Sequence, residues 1–139
     1  HVKTRSNADG MERILEALDS VPRGLVFANL VDFDMLYGHR NDVEGYAAAL
    51  EAVDAWVPRL IEGMAPDDLA IITADHGCDP TTPSTDHSRE YVPVVCFGPG
   101  ARKNVNLEVR TTISDIGQTV AENFGVEIPK GVSFLSALL

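Results

Sequence analysis

The sequence predicts an α/β fold with a mainly parallel sheet flanked by helices. Apolar stretches of strand length over residues 25–31, 69–74 and 91–97 alternate with segments whose apolar residues recur at helical spacing. Such alternation is typical of a parallel sheet whose strands are connected by helices. Ligands of these sheets bind beyond the carboxyl ends of the strands. Polar residues that follow a predicted strand are therefore the candidates for a functional site.

Composition and charge narrow the class of protein. The chain has 139 residues, of which 45% are hydrophobic, enough for a core within one domain or part of one. A formal net charge of −10 argues against nucleic-acid binding, because phosphate neutralisation needs clustered Lys and Arg. No apolar run approaches the roughly 18 residues of a membrane helix, so no membrane partner is expected.

The chain start and the cysteines bear on location. Residues 1–7 contain no apolar segment of the kind found in signal peptides. Cys78 and Cys96 fit reduced thiols better than a disulfide framework. These features predict a cytoplasmic protein. The chain also begins without Met, and we interpret it as part of a longer polypeptide.

A helix and a buried strand are predicted first. Asp9 and Glu12 form a capping pair, and the apolar residues that follow recur at helical spacing. These apolar positions are Met11, Ile14, Leu15 and Leu18. Residues 25–31 then form an almost unbroken apolar run between Gly24 and Asp32, which predicts a strand covered on both faces.

The second predicted helix opens with Asn41 and Glu44, another capping pair. Its apolar stripe consists of Val43, Tyr46, Leu50, Val53, Val57, Leu60 and Met64. Pro58 should kink or split this helix, because proline removes a backbone donor and clashes with the preceding turn. Residues 65–68 form the turn into the apolar run 69–74.

A long loop and a third strand follow. Residues 78–90 are polar and rich in turn formers, and loops of this length are often functional. The strand predicted over residues 91–97 contains Pro93, which argues for an edge or an early strand position. Beyond it, weak alternation over residues 104–109 suggests a short strand.

The chain ends with two predicted helices. The first opens at residues 112–115, and Gly125 is its expected C′ residue. The second is short and spans residues 133–139.

Aspartate and histidine residues cluster after the predicted strands. They are Asp34 and His39 after the first strand, Asp75 and His76 after the second, and His87 in the loop before the third. Carboxylates and imidazoles without thiolate suit manganese, zinc or iron. Five ligands are too many for a single metal ion that must keep one coordination position open. They instead fit part of a two-metal site, whose ions together bind a phosphoryl group. Asp32 is a further candidate, as a ligand or as a partner of one.

Each of these residues also has an ordinary structural interpretation. A single His is more often structural or solvent-exposed than a ligand, and Asp at a strand end commonly caps a helix or forms a turn. The recurrence of histidines with nearby aspartates in loops favours the metal site. Arg40 and Arg89 could contact a phosphate or simply be solvated. No hydroxyl in the loop has an adjacent base that would mark it as a nucleophile.

Two strings carry a family resemblance. Residues 30–42, LVDFDMLYGHRND, and residues 75–93, DHGCDPTTPSTDHSREYVP, resemble the C-terminal portion of the bacterial phosphopentomutases, or phosphodeoxyribomutases. These enzymes belong to the alkaline phosphatase superfamily, beside the cofactor-independent phosphoglycerate mutases. The Asp-His-Gly triplet is shared widely in the superfamily, whereas the longer strings are typical of phosphopentomutases. The resemblance extends over essentially the whole chain.

The resemblance implies an isomerase of nucleotide metabolism that interconverts ribose 1-phosphate and ribose 5-phosphate, and the corresponding deoxyribose phosphates, with two Mn²⁺ ions. It implies that Asp75 and His76 bind one ion and that Asp34, His39 and His87 bind the other. A further Asp ligand and a phosphorylated Thr nucleophile would lie outside these residues, so this chain has no catalytic nucleophile of its own.

By the same resemblance, residues 1–139 are the C-terminal part of an alkaline-phosphatase-like core domain. Its partners would be pentose phosphates and the upstream core segment and inserted cap domain of the same enzyme. The chain alone is expected to be inactive. Two alternatives stay open: a phosphoglycerate mutase or phosphatase of the same superfamily, and a non-catalytic metal-binding module.

Overall fold

The computed structural model describes residues 1–139, which divide into two compact units. The first unit consists of residues 1–65 and 76–92, and the second consists of residues 66–75 and 93–139. None of the helices has the length and apolar character that a membrane crossing requires.

The first unit begins with helix α1, Asn7–Ser20. Ser6 is its N-cap, because its backbone is extended and its side chain accepts a hydrogen bond from Asp9 N. The sequence pattern placed the cap at Asp9, which instead lies inside the helix and pairs with Arg5 and Arg13. The helix is thus confirmed, but its start was predicted too late.

Residues 25–31, the first predicted strand, join no β-ladder in the described chain. Phe27 is 86% exposed and Leu25 is 62% exposed. A strand is stabilised by hydrogen bonds to a neighbouring strand, and no segment of these 139 residues pairs with this one. The prediction of a strand covered on both faces is therefore not met.

Two short helical turns follow. The first is a π-helical turn, Phe33–Tyr37, and the second is a 3-10 turn, Gly38–Arg40. The backbone N of Gly38 donates to the carbonyl oxygens of Phe33 and Asp34. Asn41 then adopts a left-handed conformation with φ 51°, which turns the chain towards the next helix.

Helix α2, Val43–Gly63, completes the long helical part of the first unit. Asp42 is its N-cap and accepts a hydrogen bond from Gly45 N at 2.9 Å. Pro58 lies within α2 without ending it, so the predicted split does not occur. Arg59 on α2 makes a two-pronged ion pair with Glu12 on α1, with N–O distances of 2.6 and 3.0 Å.

The second unit contains strands β1, Ala70–Ile72, and β2, Val95–Phe97. They pair antiparallel, with Ile71 opposite Cys96. The mainly parallel sheet predicted from the sequence is therefore not confirmed, because the only sheet in the described residues has two antiparallel strands.

Two helices complete the second unit: α3, Ser114–Asn123, and α4, Leu135–Leu138. Gly125 follows α3 with φ 68°, as predicted for the C′ residue. The weakly predicted strand over residues 104–109 does not form. Asp115 is 1% exposed and accepts hydrogen bonds from Arg110 Nε and Val132 N. These bonds connect the segment before α3 to the segment after it.

Candidate metal centre

Three segments of the first unit bring their polar side chains together. Asp34 lies in the π-helical turn and His39 in the adjoining 3-10 turn. The returning segment, residues 76–92, carries His76 and His87. An isolated antiparallel bridge between Gly77 and Ser88 draws the two ends of the loop together, so these histidines lie side by side.

One carboxylate oxygen is the centre of this cluster. Asp34 Oδ1 lies 3.1 Å from His87 Nε2, 3.4 Å from His39 Nε2 and 3.7 Å from His76 Nε2. The rings of His76 and His87 are stacked, with centroids 3.7 Å apart. The ligand atoms of Asp34, His39 and His87 all lie within 4.8 Å of one another, which is close enough to share one metal ion.

Backbone carbonyl oxygens orient the imidazoles. His39 Nδ1 lies 2.6 Å from Thr85 O. A carbonyl oxygen can only accept a hydrogen bond, so Nδ1 carries a proton and, in a neutral His39, Nε2 is the nitrogen left to bind a metal ion. Metal-binding histidines commonly have such a second partner, which fixes the tautomer and the ring. Asn41 Nδ2 donates to Thr82 O at 2.9 Å and holds the same loop against the 3-10 turn.

Cys78 packs against the turn that carries these ligands. A Cβ atom at Gly38 would collide with Cys78 Sγ, so the close approach requires glycine. Burial, with smaller effects of Asp34 and Asp79, raises the pKa of the Cys78 thiol. The protonated thiol is therefore favoured.

The remaining sequence candidates are Asp32, Arg40, Arg89 and Asp75. Asp32 is bonded to Asn7 rather than to the histidines. Arg40 and Arg89 are exposed, and a role in phosphate binding stays a prediction for both. Asp75 belongs to the second unit, and its role as a ligand also stays a prediction.

Sequence reasoning missed the residues that support the ligands. Thr85 acts through its backbone carbonyl, which no side-chain pattern reveals. Asn41 had a usable signal, because Asn is among the few residues that adopt the left-handed conformation readily. It was interpreted as a helix cap instead.

Comparison with known proteins places the chain in a family. The sequence model of the metalloenzyme superfamily matches residues 1–128. The phosphopentomutase of Anaeromyxobacter sp. (strain K) is 58% identical over 135 residues, which are 97% of this chain and 34% of that protein. The phosphopentomutase of Kosmotoga olearia is 55% identical over 140 residues, which are 100% of this chain and 36% of that protein.

A third relative, the phosphopentomutase of Carboxydothermus hydrogenoformans, is 52% identical over 134 residues, or 96% of this chain and 34% of that protein. The chain thus spans about a third of the length of these curated relatives. The match to the family model covers most of the chain and includes every residue of the cluster around Asp34. This chain therefore belongs to the metalloenzyme superfamily.

Proposed function

We propose that this chain is the C-terminal, metal-binding part of a phosphopentomutase that interconverts ribose 1-phosphate with ribose 5-phosphate and deoxyribose 1-phosphate with deoxyribose 5-phosphate. The relatives described above are named phosphopentomutases and align with nearly the whole chain. The observation that carries the proposal is the convergence of Asp34, His39 and His87 within 4.8 Å. The enzyme acts in the cytoplasm, in nucleotide metabolism.

The donor set fits a divalent ion. One carboxylate and two imidazoles suit Mn²⁺ better than a soft metal, and the protonation of His39 Nδ1 leaves Nε2 ready to bind. Asp34, His39 and His87 would hold one Mn²⁺, while Asp75 and His76 would contribute to a second. When bound, the ions neutralise charge on the phosphoryl group during transfer.

The nucleophile of the reaction lies outside these residues. The hydroxyl of Thr81 donates to Asp79 Oδ1 at 2.7 Å, and the hydroxyl of Thr82 donates to Asp79 O at 3.0 Å. Thr82 donates to a backbone carbonyl, which is not a base, and Thr81 donates to the Asp79 carboxylate, whose lowered pKa makes it a weak base. This supports a phosphothreonine in the upstream part of the enzyme, to which we also assign the further Asp ligand.

The exposed apolar residues support an intramolecular partner. Phe27 and Leu25 lie in a segment that has strand composition but no ladder partner, and soluble proteins rarely leave such segments uncovered. In the complete enzyme, the upstream core segment pairs with residues 25–31 and extends the sheet to the mainly parallel form of an alkaline-phosphatase-like core. The inserted cap domain completes the pocket for the pentose phosphate.

The test measures bound Mn²⁺ and mutase activity in the full-length protein and in the 139-residue chain. We expect activity in the full-length protein only, with both activity and Mn²⁺ lost in His87→Ala. His1→Ala is the matched control, because His1 lies outside the cluster and should change neither quantity. Mutase activity of the 139-residue chain alone, or a full-length protein without metal, would overturn the proposal. Activity towards phosphoglycerates instead of pentose phosphates would identify the related mutase.

A further inference from the structure

Asp32 is anchored to the first turn of α1. Its Oδ2 accepts a hydrogen bond from Asn7 N at 2.7 Å, and its own backbone N donates to Asn7 Oδ1 at 3.0 Å. Asn7 is 7% exposed. Two reciprocal hydrogen bonds between buried or half-buried groups therefore fix the position of Asp32 against the helix.

The start of α1 also packs directly on the residues that precede Asp32. A Cβ atom at Gly10 would lie 3.0 Å from Leu30 Cδ2, so the helix and residue 30 are in close contact. The first backbone N–H groups of a helix lack acceptors within the helix and favour a carboxylate. Asp32 supplies that carboxylate from 25 residues away, and it is thereby committed to α1.

Asn7 keeps a polar side chain here at a cost. Its Nδ2 is buried and has no hydrogen-bond partner, and an unsatisfied buried donor is unfavourable. Its Oδ1 and backbone N are both used by Asp32. We therefore attribute the presence of Asn7 at this position to its two hydrogen bonds with Asp32.

Asp32 immediately precedes the π-helical turn Phe33–Tyr37 and already has helical backbone angles, φ −64° and ψ −30°. Side chains two positions apart on a helical turn point in different directions. Asp32 thus faces α1, while Asp34 Oδ1 faces His87 Nε2 at 3.1 Å. Single π-helical turns are frequent at functional sites, and this one has its N-terminal end fixed by Asn7.

We infer that Asn7 and Asp32 are positioning residues that set the direction of the Asp34 carboxylate in the proposed metal site. The inference rests on the proposed function, because it assigns Asp34 to a bound ion. Loss of the reciprocal hydrogen bonds lets the turn rotate, and Asp34 then loses its alignment with His39 and His87. The consequence is weaker metal binding without loss of any ligand.

The test titrates the full-length protein with Mn²⁺ and follows free Mn²⁺ by electron paramagnetic resonance. Asn7→Ala and Asp32→Ala should each weaken binding at the Asp34 site about tenfold, the lower end of the effect of groups that orient ligands. Asp32→Asn should restore binding to within about twofold, because its amide oxygen still accepts from Asn7 N. Ser6→Ala is the matched control, since it removes the α1 cap without touching Asp32.

The outcomes separate this inference from the proposed function. If Asp34→Ala leaves Mn²⁺ binding intact, the metal site itself is wrong. If Asp34→Ala abolishes binding but Asn7→Ala and Ser6→Ala have equal affinities, only the positioning role is wrong. A merely structural role would lower the melting temperature in Ser6→Ala and Asn7→Ala alike and leave Mn²⁺ affinity unchanged in both. Should Asn7→Ala fail to fold, the pair Asp32→Ala and Asp32→Asn makes the same decision.

Discussion

The carbonyl oxygen of Thr85 lies 2.6 Å from Nδ1 of His39, although the two residues are 46 positions apart. The contact joins the loop that carries His87 to the turn that carries His39. It also determines that Nδ1 carries a proton, which leaves Nε2 of the neutral imidazole as the nitrogen that can bind a metal ion. The orientation of a side chain in the candidate metal centre thus depends on a backbone group whose identity the sequence does not specify.

The first prediction concerns the tautomer of His39. We expect neutral His39 to carry its proton on Nδ1, because Thr85 O accepts it. Two-dimensional ¹⁵N–¹H spectra of the imidazole measure this directly. Comparison with His39→Ala assigns the signal of His39. A neutral His39 protonated on Nε2 would contradict both the hydrogen bond and the assignment of Nε2 as the metal-binding atom.

A pair of glycines tests close packing in the second unit. Gly131→Ala should be strongly destabilising, because φ is 89° and the new Cβ would overlap the carbonyl of Ser114. Gly125→Ala is the matched control: φ is 68°, but nothing lies within 4 Å of its Cβ position. It should cost only about 1–2 kcal/mol, the penalty of left-handed backbone. Denaturant unfolding measures both, and equal losses would argue against the close contact at Gly131.

The ion pair between Arg110 and the buried Asp115 makes a stability prediction. Asp115→Ala should lower the free energy of unfolding by about 1–3 kcal/mol, because Arg110 Nε and Val132 N lose a charged acceptor in a part-buried position. Glu122→Ala, at an exposed position on the same helix, should change it by less than about 0.5 kcal/mol. Chemical unfolding provides the comparison. Similar small effects for both variants would mean that water replaces the lost carboxylate.

Asp79 makes a prediction about pH. Hydrogen bonds from the hydroxyl and the backbone N of Thr81 lower the pKa of Asp79 below its ordinary value. Its contribution to stability is therefore present above the unfolded-state pKa and is lost as the pH falls through the lower folded-state value. Thr81→Val should raise the pKa of Asp79, because the first of these donors is removed.

Carboxyl ¹³C shifts followed against pH measure the change at Asp79. Thr111→Val is the control, since Thr111 belongs to the second unit and makes no hydrogen bond with Asp79. It should leave the titration of Asp79 unaltered. An unchanged pKa in Thr81→Val would show that the backbone donor alone sets the value.

Helices could be predicted from the sequence better than the sheet. Residues 43–63 carry an apolar stripe at local spacing, and α2 forms there with an N-cap one residue later than predicted. The run over residues 25–31 has strand composition, but strand formation depends on a neighbour that no local pattern supplies. For the same reason, the antiparallel pairing of β1 and β2 was not predicted.

The candidate site shows the same division between local and distant information. The histidines and Asp34 could be selected by residue type and by their positions after apolar runs, and the structure brings them together. The direction in which Asp32 points could not be predicted, because it depends on Asn7, 25 residues away. Residue chemistry thus indicates which groups can bind, whereas distant backbone contacts decide which of them face the site.

The first compact unit is discontinuous in the chain, since residues 66–75 belong to the second unit and residue 76 returns to the first. When only residues 1–65 have emerged from the ribosome, Asp34 and His39 are outside it but His87 is not. The proposed metal ligands Asp34, His39 and His87 can come together only after residues 66–75 are complete and residue 87 has emerged, so binding of a metal ion by all three cannot precede that point. A nascent chain arrested before that point should bind Mn²⁺ no better than the protein without His87.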